Sequence, residues 1–242
     1  ITNKKKLGQL KGNEFMVKTI VTSELIAKIA KKNDVEIFDE YTGFEWIAYR
    51  IRINEGIKKY IGGGEESFGF LPFDKVRDKD SPASICLICE IAAWAKDNGM
   101  TLYDLLLQIY LDYGFQKEKA VSVVKPGKSG ADEIKAMMEN FRNNPPKELG
   151  GSKVTVAKDF KTLKQTCIAT GNVSDIDMPA TSNVLQYFTE DGIKVSVRPS
   201  GTEPKIKFYC EVPAEMPTKA DYAAACAAAD EKLTKICASL GI

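Results

Sequence analysis

Near Lys117 the apolar residues change their pattern, and that change limits the fold more than any other feature of the chain. Before it, short apolar runs alternate with amphipathic segments. Phe15 to Val21 is rich in β-branched residues and reads as a buried strand. Thr22 and Ser23 then offer an N-cap to ELIAKIAKK, whose Leu25, Ile26, Ile29 and Ala30 share one helical face. Val35 to Phe38 reads as a second strand, so the unit is strand–helix–strand and its strands pair in parallel. Phe44 to Tyr60 reads as a helix ended by Gly62, Gly63 and Gly64. Ser81 and Pro82 open another helix, with Pro at its first position, and Asn98-Gly99 closes it. Thr101 and Asp104 have capping-box spacing before LYDLLLQIYLDY, which stops at Gly114.

After Lys117 strands follow one another. Lys119–Val124, Lys153–Ala157, Val184–Phe188, Ile193–Val197 and Ile206–Val212 read as strands, the last two with strict alternation. Ala131–Arg142 and an Ala-rich segment capped by Thr218 and Asp221 read as two helices. Alternating elements imply an α/β domain, and clustered strands imply an α+β domain with an antiparallel sheet. The expected division is residues 1–116 and 117–242, which suits a length of 242.

Composition narrows the functions open to such a chain. Thirty-four Lys and Arg stand against 33 Asp and Glu, which argues against a nucleic-acid or anionic-membrane partner. No apolar run reaches the roughly 18–20 residues that span a bilayer. The chain holds no histidine, which removes Ser-His-Asp and Cys-His nucleophile systems and most catalytic zinc sites. Cys86 and Cys89 form a C-x-x-C, but they share a helical stripe with Ile85, Ile88 and Ala92 and are expected to be buried. Six scattered thiols without a signal peptide fit a reducing, cytoplasmic compartment. A start at Ile1 in place of Met reads as a fragment or a processed product.

Two loops carry candidate chemistry. Arg198-Pro-Ser-Gly-Thr-Glu-Pro204 joins two core strands that a two-residue turn could connect. Arg198 supplies a planar fork for phosphate, Ser200 and Thr202 supply hydroxyls, and Gly201 lets backbone amides approach an anion. Pro199 and Pro204 stiffen the ends. The competing reading is a stiff polar turn. The second loop, Gly62-Gly-Gly-Glu-Glu-Ser-Phe-Gly-Phe70, has four glycines in nine residues. Glu65 and Glu66 would repel phosphate; beside Ser67 they suit a ligand rich in hydroxyl donors, such as a sugar, and a solvated turn is equally open. Too few oxygen ligands are present for a hard cation.

Together GGGEESFGF and RPSGTEPKIKFY resemble the sugar-binding and phosphate-binding loops of the α-D-phosphohexomutases, the phosphoglucomutases and phosphomannomutases. TSELIAKIA, Thr42-Gly43-Phe44-Glu45-Trp46-Ile47 and Arg77-Asp78-Lys79-Asp80 add to the similarity, and TGFEWI with EESFGF is most similar to the branch of phosphoglucomutase-2 and the phosphopentomutases. The resemblance covers essentially the whole chain and implies the third domain of four, an α/β domain with a mixed sheet lacking its first helix, followed by the fourth. It implies an isomerase that moves phosphate between sugar 1- and 6-positions through a phosphoserine and a hexose bisphosphate intermediate. By motif match Arg198, Ser200, Gly201 and Thr202 grip the non-transferring phosphate. Glu65 and Ser67 hold sugar hydroxyls, with lesser weight for Glu66, and Lys79 is weighed evenly against a solvated charge. Glu45 stands where relatives often carry Lys. No T-A-S-H-N-P-type loop or D-x-D-x-D-R magnesium loop is present, so no catalytic or metal residue is assigned here. The resemblance therefore implies a fragment whose partners are a phosphosugar and the missing N-terminal domains, with Mg2+ belonging to the full-length enzyme. The alternatives are a stand-alone, non-catalytic phosphosugar-binding module and an unrelated α/β protein with two coincidental loops.

Overall fold

The computed structural model describes residues 1–127 and 129–242 and divides into two compact units, Ile1–Gly114 and Phe115–Ile242. The first contains α1 (Thr2–Lys6), β1 (Glu14–Thr19), α2 (Glu24–Lys32), β2 (Glu36–Glu40), α3 (Phe44–Ile53), β3 (Lys59–Gly64), β4 (Phe70–Leu71), α4 (Ser81–Asp97) and α5 (Leu102–Tyr113). Its sheet runs β2-β1-β3-β4. β1 pairs in parallel with β2 and with β3, and β4 lies antiparallel on β3, which makes the sheet mixed. Ser23 caps α2 by accepting from the Leu25 amide, and Thr101 and Asp104 form a complete capping box on α5. The core gathers Phe15, Val17, Phe44, Ile47, Ile51, Tyr60 and Leu71, with Phe38 packed against it. Phe15 meets Phe38 and Tyr60 edge to face, each at 5.6 Å between ring centres.

Three expectations need correction in this unit. The helix expected over Phe44–Tyr60 stops at Ile53; Gly56 takes φ +76°, and the chain returns as β3. The glycines of Gly62–Gly64 therefore lie in a strand. A Cβ at Gly63 would overlap the Val17 carbonyl oxygen, and one at Gly64 would overlap the Gly69 carbonyl oxygen. The backbones approach too closely for any other residue, and periodicity carries no sign of that. The N-cap of α4 is Asp80, whose carboxylate accepts from the Ala83 amide, so Pro82 stands one place later than expected. Cys86 and Cys89 are exposed, because α4 turns another side toward its own unit.

The second unit contains β5 (Phe115–Val124), α6 (Gly130–Asn143), β6 (Glu148–Leu149), β7 (Ser152–Asp159), β8 (Lys164–Cys167), β9 (Val173–Asp175), β10 (Leu185–Thr189), β11 (Lys194–Pro199), β12 (Lys205–Ala214) and α7 (Tyr222–Leu240). Its antiparallel sheet is ordered β5-β12-β11-β10-β7-β8-β9, with β6 on β7. Ile193, Val195, Val197, Ile206, Phe208, Cys210 and Val212 are all buried, as their alternation requires. Phe141 of α6 packs on Phe208 at 5.8 Å. Thr218 and Asp221 form a capping box on a short 3-10 turn that leads into α7. β8 and β9 escape a sequence reading because KQTC and VSD have no buried apolar face; β8 rests on the edge of β7, and β9 on β8.

Candidate functional site

In the first unit the candidate residues gather at the carboxyl ends of β1 and β3, the end of a parallel sheet where ligands are commonly held. The Glu65 amide donates to the Gly69 carbonyl at 2.8 Å and closes a tight loop that presents Glu66, Ser67 and Phe68. Glu65 Oε1 accepts from the Gly43 amide at 2.6 Å, which ties the loop to the first residue before α3. Glu66 Oε2 accepts from the hydroxyls of Thr19 at 3.3 Å and Thr22 at 2.9 Å. These two hydroxyls are themselves 2.8 Å apart. Ser67 stays exposed, with Oγ 3.5 Å from Glu66 Oε1. Lys79 pairs with Asp78 at 3.3 Å and sits over the Phe44 ring at 5.4 Å, and that ring packs against Gly69. The structure thus brings Glu65, Glu66, Ser67 and Lys79 around one loop and adds Thr19 and Thr22. Thr22 carried only a capping signal in the sequence.

Phe68 has φ +54° and is fully exposed at the loop tip. A bulky residue in the left-handed region is uncommon, and nothing in this unit covers its ring. Nearby, Lys18 is buried between Asp39 at 2.7 Å and Glu24 at 3.0 Å. Burial alone would lower its pKa, but the two carboxylates more than offset this, and the ammonium pKa is raised. Lys18 is an internally satisfied structural cation.

In the second unit the candidate loop caps the β11–β12 hairpin, whose register sets Arg198 opposite Lys207 and Pro199 opposite Ile206. The Ser200 amide donates to the Lys205 carbonyl at 2.7 Å. Ser200 Oγ accepts from the amides of Thr202 at 3.4 Å and Glu203 at 3.3 Å. The Lys125 amide donates to the Pro204 carbonyl at 2.9 Å and fixes the far side of the loop to the end of β5. Glu203 pairs with Lys205 at 2.5 Å, and the Lys205 hydrogen bond and charge hold its carboxyl below the usual range. Ser200, Gly201 and Thr202 line a cavity of about 470 Å³ against Ile134, Lys135 and Met138 of α6.

Arg198 does not line that cavity. Pro199 does, and successive strand residues point to opposite faces, so Arg198 leaves the hairpin on the other side of the loop base. There it stands beside Lys207, and among the described residues neither cation forms an ion pair. Like charges directly opposite on a sheet repel, and an anion placed between them would relieve the repulsion. Lys207 escaped the sequence reading, although the period-two pattern of β11 and β12 puts it on the Arg198 face. A Cβ at Gly201 would meet no atom within 4 Å, and its φ is not left-handed, so the fold does not demand glycine there.

Among the described residues no three His, Cys, Asp or Glu come close enough to share a metal ion. Among those residues, no helix is long and apolar enough to cross a membrane.

Two family models match the chain. Residues 1–113 match the phosphoglucomutase/phosphomannomutase α/β/α domain III, and residues 122–229 match the C-terminal domain of the same family. The chain belongs to the phosphoglucomutase/phosphomannomutase family. A phosphoglucomutase of Staphylococcus aureus strain MRSA252 is 39% identical over 197 residues, which is 81% of this chain and 35% of that protein. The phosphoglucomutase of Staphylococcus haemolyticus is 34% identical over the same length, 36% of its own. The chain thus spans about a third of the length of the curated relatives it matches. Among solved structures, the pp63/parafusin phosphoglucomutase of Paramecium in its open form aligns with a TM-score of 0.56 at 18% identity, covering 94% of this chain and 38% of that one. A phosphoglucomutase/phosphomannomutase family protein of Burkholderia thailandensis aligns with a TM-score of 0.55 at 12% identity, covering 98% and 40%. At such identities the likeness is one of fold.

Proposed function

We propose that this chain is the substrate-holding C-terminal part of a phosphosugar mutase that interconverts sugar 1- and 6-phosphates through a bisphosphate. The observation that carries the reading is the Arg198–Pro204 loop. Its Gly201 leaves open space that the fold does not need, and its base presents two cations, Arg198 and Lys207, neither of which forms an ion pair among the described residues, although the Lys207 charge is felt by Glu203. Arg198 and Lys207 attract the non-transferring phosphate, the Ser200 and Thr202 hydroxyls and the amides around Gly201 orient it, and the loop needs no other domain to form. Glu65, held by the Gly43 amide, and Ser67 receive sugar hydroxyls. Glu66 positions the loop through Thr19 and Thr22 and reaches the sugar less directly. Lys79 stands at the rim. The phosphoryl-donating serine and the Mg2+ loop of the family's pattern are assigned to other sequence: these 242 residues contain neither loop motif, and among the described residues no three His, Cys, Asp or Glu come together.

The test is a titration with inorganic phosphate and with glucose 1-phosphate, alongside a coupled mutase assay. Arg198→Ala should lose about tenfold or more in phosphate affinity, because a charge-assisted hydrogen bond contributes roughly 1.5–3 kcal/mol. Arg198→Lys should also weaken binding, since it keeps the charge without the fork. Glu65→Gln should leave inorganic phosphate unaffected. The isolated chain should show no mutase turnover with Mg2+ and a hexose bisphosphate. Turnover by this chain alone, or phosphate binding insensitive to Arg198→Ala, would refute the assignment.

A further inference from the structure

The cavity of about 470 Å³ in the second unit has two unlike walls. Ala131, Ile134 and Met138 of α6, with Pro199 and Pro204, give it apolar surface. Ile134 and Met138 belong to the core, so packing holds this wall in place. The other wall is Ser200, Gly201 and Thr202. Lys135 lines the cavity from its exposed rim, and among the described residues it forms no ion pair. Glu203 lines it too, but its carboxylate is paired with Lys205 at 2.5 Å. Asn183, the side-chain amide of the lining, already uses its oxygen to accept from Arg142 at 2.8 Å. Small-molecule sites occupy roughly 300–1,000 Å³ and combine mostly apolar walls with a few converging polar groups. Arg198 and Lys207 stand on the opposite side of the loop base, so a phosphate on this loop has two sides on which the rest of its molecule can lie. A sugar turned into the cavity would set several hydroxyls against Ile134, Met138 and the prolines, where they find no partner, and unpaired buried hydroxyls are costly. An apolar body turned the same way leaves water for a matching surface.

We propose that the cavity between α6 and the Arg198–Pro204 loop is a second subsite, which takes phosphomonoesters with an apolar body, such as an aryl phosphate, and turns phosphosugars away. The phosphate of such a ligand sits on the Ser200 and Thr202 hydroxyls and the amides around Gly201, and its body lies against Ile134 and Met138. Lys135 adds a positive charge from the helix side, which complements the anion. Because both kinds of ligand need the one phosphate seat, an aryl phosphate and a phosphosugar exclude each other, and the cavity makes the loop open to inhibition by apolar phosphates. The proposal rests on the reading of this loop as a phosphate seat; what it adds is the second direction of binding and the class of ligand.

Titrations of this chain with inorganic phosphate and with phenyl phosphate supply the test. Phenyl phosphate should bind about tenfold more tightly, the gain expected when roughly half of an aromatic ring leaves water. In NMR the methyl signals of Ile134 and Met138 should shift with phenyl phosphate and stay in place with inorganic phosphate, and this readout needs no variant. Ala131 is exposed at the start of α6, so Ala131→Phe fills the cavity from its rim without entering the core. It should bring phenyl phosphate down to the affinity of inorganic phosphate and leave the latter unchanged, which also reports that the variant is folded. Arg198→Ala should weaken both ligands and keep their ratio. Phenyl phosphate should displace glucose 1-phosphate competitively. Equal affinity for the two phosphates overturns the proposal, as do unmoved Ile134 and Met138 methyls or a gain that survives Ala131→Phe. If inorganic phosphate binds through Arg198 while phenyl phosphate shows no gain, the phosphate seat stands and only the second subsite fails. If neither ligand binds, the phosphate reading itself fails and takes the subsite with it.

Discussion

Replacing Gly201 with Ala separates what the fold requires from what a ligand requires. A methyl at Gly201 meets no protein atom within 4 Å, and its backbone is outside the left-handed region. At a compatible site Gly→Ala stabilises by about 0.4–1 kcal/mol, because the unfolded chain loses freedom. The melting temperature of the Phe115–Ile242 unit should therefore stay level or rise by a few degrees. Phosphate affinity should move the other way. An anion seated on the amides around Gly201 would occupy the space that the methyl takes, and a loss of about tenfold corresponds to 1.4 kcal/mol. Gly63→Ala is the contrasting control. Its Cβ would overlap the Val17 carbonyl oxygen and lie 2.9 Å from the Tyr60 hydroxyl, in the middle of the β1–β3 pairing. Neither neighbour is a flexible chain end, so β1 and β3 must part, at a cost of about 3 kcal/mol or more. That amounts to a fall of roughly 10 °C or more for a unit of this size. Differential scanning calorimetry measures both stabilities, and calorimetric titration measures phosphate binding. If Gly201→Ala destabilises its unit, the fold does need that glycine. If it leaves phosphate affinity unchanged, the space beside it is not the anion's.

Other consequences follow from the same structure. Phe68→Gly should leave the stability of the Ile1–Gly114 unit within about 1 kcal/mol, since relief of the left-handed strain offsets the added backbone freedom and no core contact is lost; a large fall in calorimetry would mean that the exposed ring is packed in solution. Burial pushes the Asp191 carboxyl up, but hydrogen bonds from Thr189 and Lys232 and the Lys232 charge bring it down to about 2. A depressed carboxyl contributes stability that is present above its ordinary pKa of 3.8 and is lost as pH falls through about 2. Asp191→Asn should therefore flatten the acid dependence of urea unfolding of the second unit between pH 4 and pH 2, and an unchanged slope would refute the assignment.

Local chemistry was enough for much of this protein. Ser23, Thr101 with Asp104, and Thr218 with Asp221 announce helix starts within four residues of sequence, and each cap forms as its spacing requires. The alternation of Ile193, Val195 and Val197 with Ile206, Phe208, Cys210 and Val212 determines which face of the hairpin enters the core, because strand side chains have a period of two. Both candidate loops stand out because four glycines in one, and Arg, hydroxyls and two prolines in the other, are chemistry a plain turn does not need.

What escaped the sequence depends on pairs distant along the chain. Gly62–Gly64 looks like a helix stop until Val17, more than 40 residues earlier, approaches so closely that only glycine fits. Glu66 acquires its anchor from Thr19 and Thr22, and Arg198 acquires its cationic neighbour from Lys207; both depend on which strands lie side by side. The outward face of α4 shows the same limit. Periodicity marks an apolar stripe but not which side of the helix its own unit covers, because burial is a property of the packed neighbours and not of the residue.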